Sequence, residues 1–130
     1  MARTNNKIKI ELEYLIRSSP RILYNFLSTP SGLSEWFADN VNIHHDVYTF
    51  IWEGSEEKAR LLVAREFDLV RFKWLATDID DTYFELRIKI DELTNDVALI
   101  VTDFAPKEEL QEVQMLWNKQ IDQLIKSLGS

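Results

Sequence analysis

The sequence predicts an α+β domain in which a curved antiparallel sheet wraps around a long C-terminal helix, with two short helices after the first strand. Three observations predict it. The N-terminal segment alternates apolar and charged residues with a period of two. The middle of the chain is strand after strand with short connections. The last segment, Pro106 to Leu128, carries one apolar stripe at helical spacing.

With 130 residues and 15.3 kDa, the chain suits a single domain spanning residues 1–130. A chain of this mass buries roughly two-thirds of its unfolded surface, and 45% hydrophobic with 12% aromatic residues supply a core without covalent staples. Three glycines and three prolines are too few for a low-complexity chain. The absence of cysteine excludes a disulfide framework, thiol catalysis, iron–sulfur clusters and cysteine-based zinc sites. Fifteen basic against 22 acidic residues give a net charge of −7 and a pI near 4.8. Lys and Arg are scattered among carboxylates, so no nucleic-acid partner is expected. The start, Met1 to Lys7, lacks the apolar core of a signal peptide, and no apolar run approaches a membrane span. A cytoplasmic monomer or small homo-oligomer is the expectation.

The first strand runs from Lys7 to Arg17, with Ile8, Ile10, Leu12, Tyr14 and Ile16 on one face. Ser19-Pro20 starts a helix as cap and first residue, and Leu23, Phe26 and Leu27 follow at helical spacing. Thr29-Pro30 repeats that signal, and a second short helix is expected to carry Leu33, Trp36 and Phe37, ending near Ala38-Asp39-Asn40. Six strands follow: Val41–His44; Tyr48–Trp52, closed by a turn at Gly54-Ser55; Ala59–Phe67; Val70–Trp74; Phe84–Ile90; and Val97–Phe104 after a turn at Thr94-Asn95-Asp96. Their short connections favour an antiparallel meander. The final helix is expected from Pro106. Leu110, Val113, Trp117, Ile121, Leu124 and Leu128 fall within about 80° on it. Acidic Glu108, Glu109 and Glu112 at its start and Lys126 near its end suit the helix dipole.

Motifs for chemistry are sparse. His44 and His45 are adjacent in a strand and point to opposite faces, so with Asp46 they read as a turn and not as a metal site. Asp78, Asp80 and Asp81 lack the glycine and distal glutamate of a calcium loop. Glu11 and Glu13 belong to a charged outer face. No nucleophile elbow or glycine-rich phosphate loop is present, and no cofactor is expected. The facing of Glu53, Arg65 and Glu66 is open; a buried carboxylate paired with Arg65 would be a candidate acid–base group, against a strand-edge ion pair.

The segments Ser19–Leu27 and Thr29–Phe37, together with Phe50–Gly54, Val70–Trp74 and Trp117, resemble the START-like superfamily. The likeness is strongest to the branch related to the activator of the 90-kDa heat-shock chaperone ATPase. It covers nearly the whole chain and implies the helix-grip fold. Glu53-Gly54-Ser55-Glu56 departs from the glycine-rich loop of the plant allergen and hormone-receptor branch.

The resemblance implies an apolar cavity between sheet and terminal helix. Its candidate ligand-binding residues are Trp36, Phe50, Trp52, Phe72, Trp74, Phe84, Trp117 and Ile121, with Tyr14 and Tyr83 as polar additions if their faces permit. The opposing expectation is that these rings fill the space themselves. The first functional reading is therefore non-enzymatic binding of a small hydrophobic ligand, lipid-like or aromatic. A protein-interaction or co-chaperone-like module, with a protein partner, is the alternative. A cyclase- or hydrolase-type enzyme comes third.

Overall fold

Alternation along the strands decides which side of the sheet is filled. In the computed structural model, which describes residues 7–77 and 80–129, strand β1 (Lys7–Ile16) lies antiparallel to β7 (Val97–Pro106). The register sets Leu12 opposite Val101, Tyr14 opposite Leu99 and Ile16 opposite Val97. Paired residues share a face, so the apolar set of both strands turns to the same side. β2 (Asn40–His44), β3 (Val47–Trp52), β4 (Ser55–Arg65), β5 (Leu69–Trp74) and β6 (Phe84–Ile90) complete the sheet. The described residues thus form seven strands in the order β1-β7-β6-β5-β4-β3-β2, every pair antiparallel. The inner face carries Tyr48, Phe50, Phe72, Phe84, Leu86, Leu99 and Val101, all buried.

Two local devices shape this sheet. Glu53 (φ 47°) and Gly54 (φ 87°) are both left-handed, which matches the two-residue hairpin turn between β3 and β4. A register shift between Leu61 and Val63 bends β4 against β5. β4 starts at Ser55 and ends at Arg65, earlier at both ends than the alternation predicts, because the tight hairpin pairs Ser55 with Trp52 at once and Phe67 (φ 63°) turns the chain.

β1 and β2 occupy opposite edges, so the chain between them must cross the whole sheet. Helix α1 (Pro20–Ser28) and helix α2 (Pro30–Leu33) make that crossing. The side chains of Ser19 and Thr29 accept from the backbone N–H groups of Ile22 and Gly32, as caps should. The second helix is shorter than the sequence predicts. Past Leu33 the chain curls tightly: the Leu33 carbonyl accepts from Phe37 at 2.9 Å, and more weakly from Trp36 and Ala38. Trp36 and Phe37 thus lie beyond α2 and are both buried, with the Trp36 indole N–H donating to the Phe26 carbonyl at 2.8 Å.

Helix α3 (Leu110–Ser127) also starts later than predicted. Pro106 has extended backbone (φ −59°, ψ 150°) and still pairs with Lys7, so β7 runs on through it. A 3-10 turn, Lys107–Glu109, then leads into α3. Trp117, Ile121 and Leu124 are buried against the sheet, with Val113, Ile125 and Leu128 packed beside them.

The outer face is held by ion pairs. Glu85 lies buried between Arg71 (2.7 Å) and Arg87 (3.0 Å). At the β5–β6 connection Asp80 takes Lys73 at 2.8 Å and Lys7 at 3.3 Å, and Lys73 also donates to the Thr82 carbonyl. Burial alone would raise the Asp80 carboxyl, but hydrogen bonds from Lys73, Thr82 and Lys7 outweigh it and hold it far below the ordinary carboxylate range. Asp78 and Ile79 lie outside the described residues, as do residues 1–6, on which the reading of the N-terminal start rests.

Two outcomes follow. Gly32 is where α2 meets α1: a Cβ there would collide with the Asn25 carbonyl and sit 2.7 Å from the Phe26 Cα. Gly32→Ala should cost at least about 2 kcal/mol in denaturant titration, because backbone cannot yield as a side chain can. A depressed carboxyl stabilises the fold above its unfolded value and loses that contribution as pH falls toward its folded value. Asp80→Asn should therefore lower stability at neutral pH, with the deficit shrinking below about pH 4, where an unfolded Asp takes up its proton. Urea midpoints measured across that range check it; a deficit that stays constant with pH would assign the effect to geometry rather than charge.

Candidate functional site

The space between sheet and α3 is organised around Phe37. Its ring lies 5.0 Å from Phe50, 5.5 Å from Trp52, 5.5 Å from Phe84 and 5.8 Å from Trp117, between centroids. Its carbonyl accepts from the Trp52 indole at 2.7 Å and from the Gln120 amide at 3.0 Å. One residue of the curled turn thus joins the sheet to the helix through both ring and backbone. Behind it Phe72 stacks on Phe84 at 5.1 Å and Tyr48 meets Phe72 edge-on at 5.0 Å. Phe50, Phe72, Phe84 and Ile121 are fully buried there.

In front of Phe37 a cleft of about 640 Å³ opens. Trp52 and Trp74 come from the ends of β3 and β5, and Val113, Leu116, Trp117 and Gln120 from α3. Its polar lining is Gln120 and Asp103 together with Glu53, Ser55 and Glu57 of the β3–β4 hairpin. A second groove of about 780 Å³ shares Phe37, Trp52, Glu53, Leu116 and Gln120 and reaches Trp36, Lys119 and Lys126.

Asp103 is the residue that sequence reasoning missed. It follows Val97, Leu99 and Val101 at intervals of two and pairs with Ile10, so it stands on the inner face. Its Oδ2 accepts from the Trp117 indole N–H at 2.8 Å and its Oδ1 from the Phe104 backbone N–H at 2.8 Å. Burial pushes its carboxyl up, and those two hydrogen bonds with the Lys7 charge offset only part of the rise. Strict alternation carried one step past the apolar run would have found it.

The sequence-derived candidates therefore separate. Trp52, Trp74 and Trp117 come together at the cleft, and Trp36 lines the neighbouring groove. Phe50, Phe72, Phe84 and Ile121 line neither and form the packed layer behind. Tyr14 does face the helix, donating to Asn118 Oδ1 at 2.6 Å. Tyr83 does not: it packs on Phe104 with the Arg71 guanidinium over its ring. Arg65 is exposed and pairs with the partly exposed Asp68 at 3.9 Å; among the described residues no buried carboxylate is paired with it. The rings of His44 and His45 meet at 4.3 Å on an exposed turn, with His45 left-handed. Among the described residues no group of His, Cys, Asp and Glu is placed to hold a metal, and no helix is long and apolar enough to cross a membrane.

This frame of sheet, crossing helices and gripped terminal helix is matched over residues 4–130 by the START-like superfamily domain. The chain belongs to the START-like superfamily. Among solved structures, the Bacteroides fragilis protein BfR322 is 36% identical, with a TM-score of 0.68 over 95% of this chain and 92% of its own. The Aha1 dimer of Colwellia psychrerythraea shares 15% identity and a TM-score of 0.77, over 93% and 96% of the two chains. MLL2253 of Mesorhizobium loti shares 14% and 0.76, over 94% and 97%. The last two show a common fold, and the second is in line with the resemblance drawn from the helices. No curated protein matches the chain.

Phe37 as the hub gives a measurable expectation. Phe37→Ala should cost about 3–5 kcal/mol, as a large buried ring lost to a cavity does. Denaturant unfolding would check it, and a cost under about 1 kcal/mol would remove the residue from its central position.

Proposed function

We propose that this START-like domain binds a small hydrophobic ligand without catalysing a reaction, and that the ligand sits in the cleft in front of Phe37. The observation that carries the reading is the lining: three tryptophans, Trp52, Trp74 and Trp117, converge on about 640 Å³ with a few polar groups among them. Ligand sites are of this size, largely apolar, with sparse polar groups that set orientation. The packed rings behind Phe37 favour a ligand held at the mouth of the grip over one enclosed in its centre.

A second reading rests on a different observation. Met115 and Leu116 are 63% and 57% exposed on α3, and Leu116 lines the cleft. Exposed apolar groups at the border of an aromatic cleft would also suit a protein partner, as in a co-chaperone-like module.

Tryptophan emission distinguishes the two. Titration with flavonoid-like aromatics, sterols, fatty alcohols and fatty acids should give a saturable change that Trp117→Phe or Trp52→Phe diminishes and Trp36→Phe largely preserves. The binding reading fails if the whole panel, extended with hydrophobic amines, leaves the emission unchanged, and the protein-partner reading then leads.

A further inference from the structure

Resting on that binding reading, we infer that the cleft selects a positively charged hydrophobic ligand, an alkyl or aromatic amine or quaternary ammonium, with Asp103 as the group that receives the charge.

The charge on the lining points one way. Asp103 lies between β7 and α3, and Glu53 and Glu57 stand on the β3–β4 hairpin at the border. No Lys, Arg or His is among the described residues that line this cleft. The lysines nearby are placed elsewhere: Lys119 and Lys126 line the neighbouring groove, and Lys7, whose charge reaches Asp103, is paired with Asp80 at 3.3 Å. A ligand carboxylate or phosphate would meet three carboxylates among the described lining residues and no lining cation.

Hydrogen-bonding capacity points the same way. The indole N–H groups of Trp52 and Trp117, which might have served a ligand acceptor, already donate to the Phe37 carbonyl and to Asp103. The Gln120 amide donates to that same carbonyl. What remains is richer in acceptors than in donors, with the carboxylates of Asp103, Glu53 and Glu57 outnumbering the Ser55 hydroxyl, so a ligand that donates fits better than one that accepts. The aromatic walls add to this, because Trp attracts a cation through its ring more strongly than Tyr or Phe. At longer range a net charge of −7 draws cations toward the protein.

A matched set of ligands tests the charge separately from binding. 4-Phenylbutylamine, its trimethylammonium analogue, 4-phenylbutanol and 4-phenylbutyrate share one ring and one chain and differ only in the head group. Isothermal titration calorimetry on the full chain should find the two cations bound about tenfold or more tighter than the carboxylate, with the alcohol between, as expected for a partly desolvated cation beside a carboxylate and aromatic rings. Asp103→Asn, which keeps an acceptor for Trp117, should remove most of that preference, and Glu57→Gln on the exposed rim should reduce it. Carboxyl NMR supplies a second readout: the amine should pull the Asp103 titration downward, since a neighbouring cation favours the charged carboxylate, while the alcohol should not. If alcohol or carboxylate binds as well as amine and Asp103→Asn changes nothing, the charge selection is wrong while the cleft stands as a binding site. If no member of the set and no member of the broader hydrophobic panel binds, the binding reading falls and this inference with it.

Discussion

The placement of Phe37 is the constraint on which the rest of the interior depends. A helix gripped by a curved sheet leaves a wedge of space at the open side, and something must fill it, because an apolar void forfeits dispersion contacts on every wall. Phe37 fills it from a turn rather than from a strand or helix. Its ring touches residues of β3, β6 and α3, and its carbonyl takes one donor from the sheet and one from the helix. The turn can deliver the ring only because α2 stops at Leu33 and the chain curls there. That in turn requires α2 to lie close on α1, where Gly32 allows backbone to approach backbone.

Polar links then set how far the grip closes. Tyr14 on β1, Asp103 on β7, the Phe37 carbonyl and the Glu35 carbonyl each bond a different residue of α3: Asn118, Trp117, Gln120 and Ser127. Apolar packing presses the helix onto the sheet but does not specify its rotation, whereas directional bonds at several points along it do. The same bonds leave the cleft with its particular chemistry. Two tryptophan N–H groups are consumed in holding the frame, and the acceptors beside them face the open space. Structural demand and binding character are thus linked through Trp52, Trp117 and Asp103.

Much of the architecture was legible in single residues. Period-two alternation assigned the faces of β1, β3, β5 and β6, because side chains on a pleated strand can only alternate. Ser19-Pro20 and Thr29-Pro30 marked both short helices, since a hydroxyl cap and a proline without an N–H suit a helix start wherever it lies. The stripe from Leu110 to Leu128 marked the buried side of α3. The site was less legible. Trp52, Trp74 and Trp117 were visible as inward aromatic residues, but nothing local separates them from Phe50, Phe72 and Phe84, which share their alternation and chemistry.

What the sequence determined by itself was everything governed by neighbours along the chain: which segments are strands or helices, which face of each is apolar, and where most of them begin. Tertiary structure alone decided the rest. Helical spacing carried the second helix on to Phe37, yet burial of both Trp36 and Phe37 required the chain to curl after Leu33. Pro106 reads as a helix start, yet a partner strand at Lys7 holds it extended. Asp103 reads as the polar end of an apolar strand, yet pairing with β1 turns it inward to meet Trp117. In each case the deciding contact lies far away in sequence, so only the folded chain supplies the energy that overrides the local preference.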